Sequence, residues 1–185
     1  MSITAQQALD VFKQAQQLYS QAQVEAALTR MAAAISAQLS ESNPLVLCVM
    51  TGAVIPAGQL LTQLDFPLQL DYIHATRYRG QTQGGELHWL VKPVCSLQGR
   101  VVLIVDDILD EGFTLAAIID YCRAAGARSV YTAVLVDKIH DRKQGMHADF
   151  VGLEVEDRYV FGYGMDYKGY LRNAAGIYAV TPGSE

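Results

Sequence analysis

The 185-residue chain has few cysteines and little charge, and both shortages narrow the class of protein. Its cysteines are odd in number, form no Cys-x-x-Cys pair and lie mostly in apolar runs: Cys48, Cys95 and Cys122. Reduced thiols in a cytoplasmic protein are the simplest interpretation of this pattern. Charged residues make up 18% of the chain and hydrophobic residues 51%, which is typical of a globular protein and argues against a disordered one.

The sequence also lacks a basic surplus, a signal peptide and an apolar run of transmembrane length. The formal net charge of -5 argues against a general nucleic-acid binder, because such a protein needs a basic field. Neither a membrane nor a nucleic acid is therefore expected as a partner. A phosphate ligand remains compatible with the charge, because backbone amides and metal ions hold phosphates inside acidic proteins.

Strand and helix patterns alternate along the chain, without internal repeats. Apolar stripes predict helices over 5–19, 24–40, 56–64 and 114–125. Apolar runs predict strands over 45–50, 68–73, 87–91, 101–105 and 129–136, and shorter strands near 150–151, 159–161 and 177–180. This alternation is typical of an α/β domain with a mainly parallel central sheet flanked by helices. Ligands of such folds bind beyond the carboxyl ends of the strands.

The segment after the 101–105 strand carries three aspartates within five residues: Asp106, Asp107 and Asp110. One interpretation is an acid-rich helix cap, because carboxylates suit the positive end of a helix dipole. A cap does not require two adjacent acids followed by Asp, Gly and Thr at fixed offsets. The alternative is a sugar-phosphate site, in which the amides of residues 110–114 form an anion nest and Gly112 permits close backbone approach.

This segment resembles the signature with which type I phosphoribosyltransferases bind phosphoribosyl pyrophosphate (PRPP). Four apolar residues, two acids and two apolar residues precede Asp-x-Gly-x-Thr. The resemblance implies the type I phosphoribosyltransferase fold, with a small hood region and a mobile loop. It implies one domain over 1–185, with a core over about 44–150 and a hood built from the N-terminal segment and about 151–185.

The resemblance also implies a role for each residue of the signature. Asp106 and Asp107 would hold the ribose hydroxyls, directly or through Mg²⁺. The 5-phosphate would be cradled by the residues around the helix start: Asp110, Glu111, Gly112, Phe113 and Thr114. Glu111 departs from the pattern, since many members have Thr or Ser there. Its side chain is expected to point outward, with its amide still contributing.

The C-terminal half is similar to that of hypoxanthine-guanine phosphoribosyltransferases, and the similarity runs from about Pro44 to Val180. It implies that Lys138 donates to the purine 6-oxygen, that Tyr159 stacks on the base and that the backbone of Val160 faces its edge. An ammonium group offers donors only, so it accepts a 6-oxo group and opposes the 6-amino group of adenine. Outside this context, Lys138 would be a surface lysine and Tyr159 a core aromatic.

Three further segments complete the resemblance. Asp166 resembles an acid that binds a second Mg²⁺, and Arg172 an arginine that contacts pyrophosphate. Alone, each would more often belong to a surface ion pair. Thr51 and Gly52 fall where the family has a pyrophosphate-binding turn with a cis peptide, although lysine is common at the Thr51 position.

The Thr76–Gly85 segment is polar and glycine-rich, and it is expected to be a mobile hood loop that excludes water. Tyr78 matches the tyrosine of a Ser-Tyr pair on that loop. Arg77 does not match the serine, and it is either a pyrophosphate ligand or a solvated loop residue.

Together these features predict a Mg²⁺-dependent purine salvage enzyme that joins hypoxanthine or guanine to the ribose 5-phosphate of PRPP. Asp110 is the expected general base for the purine N7 proton. The resemblance implies a homodimer or homotetramer.

The residues also bear on four alternative functions. A regulatory protein with the PRPP fold is disfavoured by the retained site residues, and adenine or orotate as acceptor by Lys138 and Tyr159. Xanthine stays open, because no residue decides the 2-position. An Asp-nucleophile phosphatase would need Asp-x-Asp directly after the strand, and a nicotinamide-cofactor enzyme would need Gly-x-Gly-x-x-Gly.

Overall fold

The computed structural model describes residues 3–77, 87–143, 145–181 and 183. The helices along this part of the chain are α1 Ala5–Gln14, α2 Gln21–Leu39, α3 Val54–Leu61 and α4 Phe113–Ala124. The strands are β1 Gln16–Ser20, β2 Leu45–Met50, β3 Gln69–Arg77, β4 Leu87–Val91, β5 Val101–Leu109, β6 Ser129–Ile139, β7 Phe150–Glu156, β8 Val160–Phe161 and β9 Gly176–Ala179. None of the helices so described is long and apolar enough to cross a membrane.

Six strands form the central sheet in the order β4-β3-β2-β5-β6-β7, and β4 alone runs antiparallel to its neighbour. This confirms the predicted α/β class with a mainly parallel sheet. The crossovers from β2 to β3 and from β5 to β6 step in opposite directions. Right-handed crossovers therefore place α3 and α4 on opposite faces. The reversal makes the carboxyl ends of β2 and β5 the topological switch point, where ligands of such sheets bind.

A second, antiparallel sheet joins the two ends of the chain in the order β1-β9-β8. Its strands come from the same two segments as the predicted hood, whereas β7 belongs to the central sheet. A small apolar cluster lies beneath it, centred on Phe161 and Tyr167, with Phe12 of α1 packed against it. The larger core surrounds the central sheet and also includes Val160, Ile177 and Ala179 of the small sheet, so the small sheet packs against both clusters.

The predicted helix over 5–19 is wrong in its second half. α1 ends at Gln14, and residues 16–20 instead form β1, which pairs with β9. The Gln- and Ala-rich sequence has good helix propensity, but pairing with a strand from the far end of the chain overrides it. The helix that follows begins earlier than predicted, because Ser20 and Gln23 form a capping box.

Four strands run further than predicted: β3, β5, β6 and β7. β6 continues to Ile139, so Lys138 lies within the strand and not after it, and β7 continues to Glu156. β5 continues to Leu109, so Asp106 and Asp107 lie within the strand and not in a loop after it. β3 continues to Arg77, so Thr76 and Arg77 belong to a strand that pairs with β4. Tyr78 and the rest of the predicted mobile loop through Gly85 lie outside the described residues.

Candidate active site

The switch point brings the predicted acid pair against the predicted pyrophosphate turn. β2 pairs with β5 only as far as Cys48 and Val105, so the next residues of β5 face the turn that leaves β2. That turn contains a cis peptide bond between Met50 and Thr51. A Cβ atom on Gly52 would lie 2.0 Å from Asp107 Oδ2, so the carboxyl group of Asp107 sits directly on this glycine. Any larger side chain at Gly52 would displace it.

Asp106 and Asp107 are buried next to each other, and both have raised pKa values. Asp106 is 8% exposed, and it accepts a hydrogen bond from the Asp107 amide at 2.9 Å. Burial raises the pKa of Asp106 well above its ordinary value, and the adjacent Asp107 charge raises it further. Burial also raises the pKa of Asp107, although the Asp106 side chain and the charge of Arg172 oppose that rise. Two carboxyl groups held this way favour a cation or hydroxyl donors between them.

The C-terminal segment closes the other side of this turn. A Cβ atom on Gly164 would lie 1.9 Å from the carbonyl oxygen of Gly52, so the two glycines are in backbone contact. Arg172 donates to the Gly164 carbonyl at 2.6 Å and pairs with Asp166 at 2.7 Å. The second Asp166 oxygen accepts from the Gly169 amide at 2.7 Å. The predicted pyrophosphate residues Gly52 and Arg172 are therefore brought together, and Asp166 anchors the arginine.

The predicted phosphate cradle lies at the start of α4. Gly112 caps the helix with φ +84°, a conformation that L side chains rarely adopt, and a Cβ atom there would meet Met146 at 2.7 Å. Phe113 begins the helix, one residue earlier than predicted, and Thr114 is half-buried. The Glu111 carboxylate reaches toward Arg142, with 3.7 Å between Oε1 and Nε.

A groove of about 470 Å³ opens beside the cradle. Glu111, Gly112 and Phe113 line one side, and Thr132 of β6 and Asp149 before β7 line the other. The acid pair is not among its lining residues. The groove is therefore continuous with the phosphate cradle and not with the carboxyl groups at the switch point.

Asp110 lies at the centre of a second polar cluster. Lys138 Nζ donates to its Oδ2 at 2.9 Å, and His140 Nε2 is 2.8 Å from its Oδ1. Partial burial opposes ionisation of Asp110, but these hydrogen bonds and charges prevail and hold its pKa below the ordinary value. The contact follows from the sheet register, because Leu109 of β5 pairs with Asp137 of β6 and the next residue on each strand meets the other.

Asp157 and Arg142 complete this cluster. Arg142 binds Asp157 through both guanidinium nitrogens, at 2.7 and 3.0 Å, and lies 3.9 Å from Asp110. Lys138 is 4.0 Å from Asp157. The predicted base and the predicted purine lysine are thus brought into direct contact, and both belong to one network.

Two acidic clusters offer the donor atoms of a metal site. Ligand atoms of Asp110, His140 and Asp157 lie within 4.8 Å of one another, but Lys138 and Arg142 already neutralise their carboxylates. A further cation there would be repelled by these two positive side chains. The buried acid pair of β5 has hard oxygen donors and an electrostatic need for a cation, so it fits Mg²⁺ better.

The predicted base-stacking residue lies in the segment that follows Asp157. Tyr159 is half-buried and packs edge-on against Tyr167, with ring centroids 5.5 Å apart. Its carbonyl accepts from the Val180 amide at 2.8 Å, and the next residue, Val160, is buried in β8. Tyr159 is therefore anchored to the small sheet. It follows Asp157, the residue 4.0 Å from Lys138, by two positions in the chain.

The sequence analysis missed His140, Arg142 and Asp157. Each lies just beyond the carboxyl end of a strand, the position expected for site residues of this fold. The charged run after Lys138 was therefore a usable signal. Which of its side chains turns toward Asp110 depends on the path of the one-turn 3-10 helix Asp141–Lys143, and no local pattern shows that path.

Comparison with known proteins places this geometry in a family. Residues 14–168 match the model of the phosphoribosyl transferase domain. The chain is 32% identical over 166 residues to the hypoxanthine-guanine phosphoribosyltransferase of Bacillus subtilis, covering 89% of this chain and 92% of that protein. It is 34% identical over 157 residues to the hypoxanthine-guanine-xanthine phosphoribosyltransferase of Tritrichomonas foetus, covering 84% and 86%.

A solved structure agrees with these sequence relatives. The hypoxanthine-guanine phosphoribosyltransferase of Bacillus anthracis superposes with a TM-score of 0.85 at 27% identity. The superposition covers 90% of this chain and 98% of that one. The shared fold therefore extends over most of both chains.

Proposed function

The chain belongs to the phosphoribosyl transferase domain family, and on that premise we propose that it is a purine salvage enzyme of the pentosyltransferase class. It converts hypoxanthine or guanine and PRPP into the nucleoside monophosphate and pyrophosphate. The observation that carries this proposal is the contact between Asp110 and Lys138 beside the buried acid pair. A proton acceptor and a 6-oxo-selective donor then lie next to a site for a sugar phosphate.

The sugar phosphate binds along β5 and the start of α4. Asp106 and Asp107 accept from the ribose hydroxyls, and the amides of residues 110–114 hold the 5-phosphate, with the Thr114 hydroxyl as a further donor. The positive φ of Gly112 and its position at the helix start support this assignment. Glu111 contributes its amide, while its carboxylate lies toward Arg142.

Mg²⁺ is the cofactor of this proposal, held by Asp106 and Asp107, with Asp166 as the ligand of a second ion. When bound, Mg²⁺ neutralises and orients the pyrophosphate. The raised pKa values of the acid pair support a cation there, because a bound cation favours the ionised carboxylates that burial disfavours. The pyrophosphate binds to the turn formed by Thr51 and Gly52 and to Arg172, which lies on the other side of that turn.

The purine binds against Lys138, Tyr159 and Val160. The Lys138 ammonium group bonds to Asp110 Oδ2 in the free protein and donates to the purine 6-oxygen as it turns toward the base. Tyr159 stacks on the base, and the Val160 backbone faces its edge. Xanthine is a second candidate acceptor, because a 34% identical relative is named for it.

The reaction forms the bond from ribose C1′ to purine N9 and breaks the bond from C1′ to the pyrophosphate oxygen, which leaves with its electron pair. The base cannot retain the resulting positive charge, so the N7–H bond breaks and Asp110 takes that proton. The Asp110 carboxylate is ionised in this environment, and its proton affinity rises as Lys138, one of the two side chains that lower its pKa, turns toward the purine. Exclusion of water protects PRPP from hydrolysis.

Three finer points belong to the same proposal. Arg77, the last residue of β3, and Tyr78 are the hood residues of this proposal, with the task of shielding the bound substrates from water. The protein assembles as a homodimer or homotetramer, supported by an exposed apolar strip on β3 that contains Leu70 and Tyr72. It resides in the cytoplasm, supported by free cysteines at positions 48, 95 and 122.

A substrate panel tests the proposal. Purified protein, PRPP and Mg²⁺ are mixed in turn with hypoxanthine, guanine, xanthine and adenine, and the nucleotide formed is measured by chromatography. We expect product with hypoxanthine and guanine, and at least about 10²-fold less with adenine, because Lys138 cannot accept from an amino group. A chelator should abolish turnover. Absence of nucleotide with all four bases would contradict the proposed function.

A further inference from the structure

We propose that His140 is a positioning residue that holds the Asp110 carboxylate in place while the purine engages Lys138. The inference rests on the proposed function, because it takes the roles of Asp110 and Lys138 from it. His140 matched no motif in the sequence. Its contact with the carboxylate appears only in the folded chain.

The imidazole of His140 is enclosed and has a defined orientation. Its side chain is 6% exposed, while that of Asp110 is 44% exposed. Nδ1 accepts from the backbone amide of Arg142 at 3.1 Å. A ring nitrogen that accepts carries no proton, so these hydrogen bonds assign the proton of the neutral ring to Nε2. Nε2 therefore donates to Asp110 Oδ1 at 2.8 Å.

The two carboxylate oxygens of Asp110 accept hydrogen bonds from different side chains, Lys138 and His140, and only Lys138 also binds the substrate in this proposal. Lys138 donates to Oδ2, lies 4.0 Å from Asp157 and has the purine 6-oxygen as its substrate partner. His140 has a single Nε2–H, and its ring cannot turn away without losing the bond from Arg142. When Lys138 shifts toward a base, the His140 bond is the one that remains.

This arrangement assigns a separate task to each oxygen. Oδ1 is fixed by His140, and Oδ2 is free to receive the purine proton as Lys138 moves. The N7–H bond breaks, an O–H bond forms at Oδ2, and His140 keeps its own proton throughout. Without this contact the carboxylate rotates about its Cβ–Cγ bond, and the fraction aligned with N7 falls.

A pair of amide variants isolates this donor. His140→Gln places an amide N–H near the position of Nε2, whereas His140→Asn places its amide near Nδ1, too short to reach Asp110. We expect kcat with hypoxanthine to fall roughly tenfold in His140→Asn, the effect of one lost hydrogen bond, with the KM for PRPP within about twofold. His140→Gln should recover most of kcat. Thermal melts of both variants check that the fold is intact.

Two kinetic outcomes would overturn the inference: wild-type kcat in His140→Asn, or equal losses in the two variants with unchanged melting temperatures. If His140→Asn does not fold, His140→Gln is compared with the wild type instead. A kcat about tenfold lower in His140→Gln would contradict the inference, because it would show that a donor at the Nε2 position is not sufficient.

Nitrogen-15 NMR of the wild-type imidazole gives a readout that needs no turnover. The Nε2–H tautomer is expected for the neutral ring, and the Nδ1–H tautomer would overturn the inference while leaving the proposed function intact. Conversely, a protein that makes no nucleotide with any purine yet shows the Nε2–H tautomer contradicts the proposed function and leaves the His140 contact established.

Discussion

Two sets of aspartates at the end of β5, three residues apart in the chain, have opposite environments. Asp107 is packed against the Gly52 turn, Asp106 is buried beside it in the strand, and burial raises the pKa of each. Asp110 lies past the end of the strand, where burial is outweighed by hydrogen bonds from Lys138 and His140 that lower its pKa. Identical side chains are thus tuned toward different chemistry by the strands next to them.

The two sets of carboxylates differ in whether the protein itself supplies the opposite charge. The Asp110 cluster is satisfied within the protein, since lysine, histidine and arginine side chains surround it. Among the residues that the structure describes, Arg172 is the cation that lowers the pKa of Asp107, and Arg172 is itself paired with Asp166. The negative charge of the acid pair is therefore left for a bound ligand to neutralise. A self-contained cluster suits a residue that must be oriented before reaction, and an unbalanced pair suits a site that binds a cation and hydroxyls.

The largest effect on turnover should come from replacing Asp110, the aspartate whose pKa is lowered. Asp110→Asn removes the proton acceptor and keeps the shape, so turnover with hypoxanthine should fall roughly 10²-fold or more. PRPP affinity, measured by calorimetry, should change little. Asp65→Asn is the matched control, because Asp65 is exposed and lies between α3 and β3. Unchanged turnover in Asp110→Asn would reject its role as the base.

A smaller effect is expected for the partner of that carboxylate. Lys138→Gln removes the charge but keeps an N–H donor, so kcat/KM for hypoxanthine should fall about 10- to 10²-fold. Adenine should lose less or gain, since glutamine also offers an acceptor for an amino group. The ratio of the two kcat/KM values is the measurement, with the exposed Lys13→Gln as control. An unchanged ratio would show that selectivity arises elsewhere.

The smallest effect is a gain, not a loss, and it concerns the stability of the fold at the buried pair Asp106 and Asp107. Above the ordinary aspartate pKa, the unfolded chain ionises Asp106 freely while the folded chain resists ionisation, so the native state loses stability as pH rises. In a chelator at neutral pH, Asp106→Asn should therefore raise the melting temperature by roughly 2–4 °C, equivalent to about 1 kcal/mol.

The hydrogen bond from the Asp107 amide can be retained in this variant by the asparagine carbonyl. The gain should shrink toward pH 4, where both states hold the proton. Added Mg²⁺ should stabilise the wild type more than the variant, as read by calorimetric scans. A variant less stable than wild type at neutral pH would contradict the raised pKa of Asp106.

The sequence predicted the central sheet well, because its strands are continuous apolar runs bounded by turn residues. It also placed the acid pair and Lys138 near one another, since all three follow or end parallel strands. The start of β1 was not predictable, because residues 16–20 are good helix formers and become a strand only through a partner near residue 178. Local propensity carries no information about such distant pairing.

The extent of β5 was missed for a related reason. The continuous apolar run stops at Val105, where Asp106 and Asp107 interrupt it. The backbone ladder with β6 nevertheless continues to Leu109, supported by the pairs Ile108 with Val136 and Leu109 with Asp137. The same ladder creates the contact of Lys138 with Asp110. His140 escaped notice because its orientation depends on this register and on the bond from the Arg142 amide. Site residues that sit on strands were thus easier to predict than those fixed by a turn.

The small sheet has a consequence for how the protein is made. β9 is its middle strand, so β1 has no neighbour until residues near 176 have been translated. At ordinary elongation rates that delay is roughly ten seconds or more. The nascent chain therefore carries an unpaired edge while the central sheet is already assembling, and the final strands emerging from the ribosome both complete the hood side of the molecule and conceal that edge.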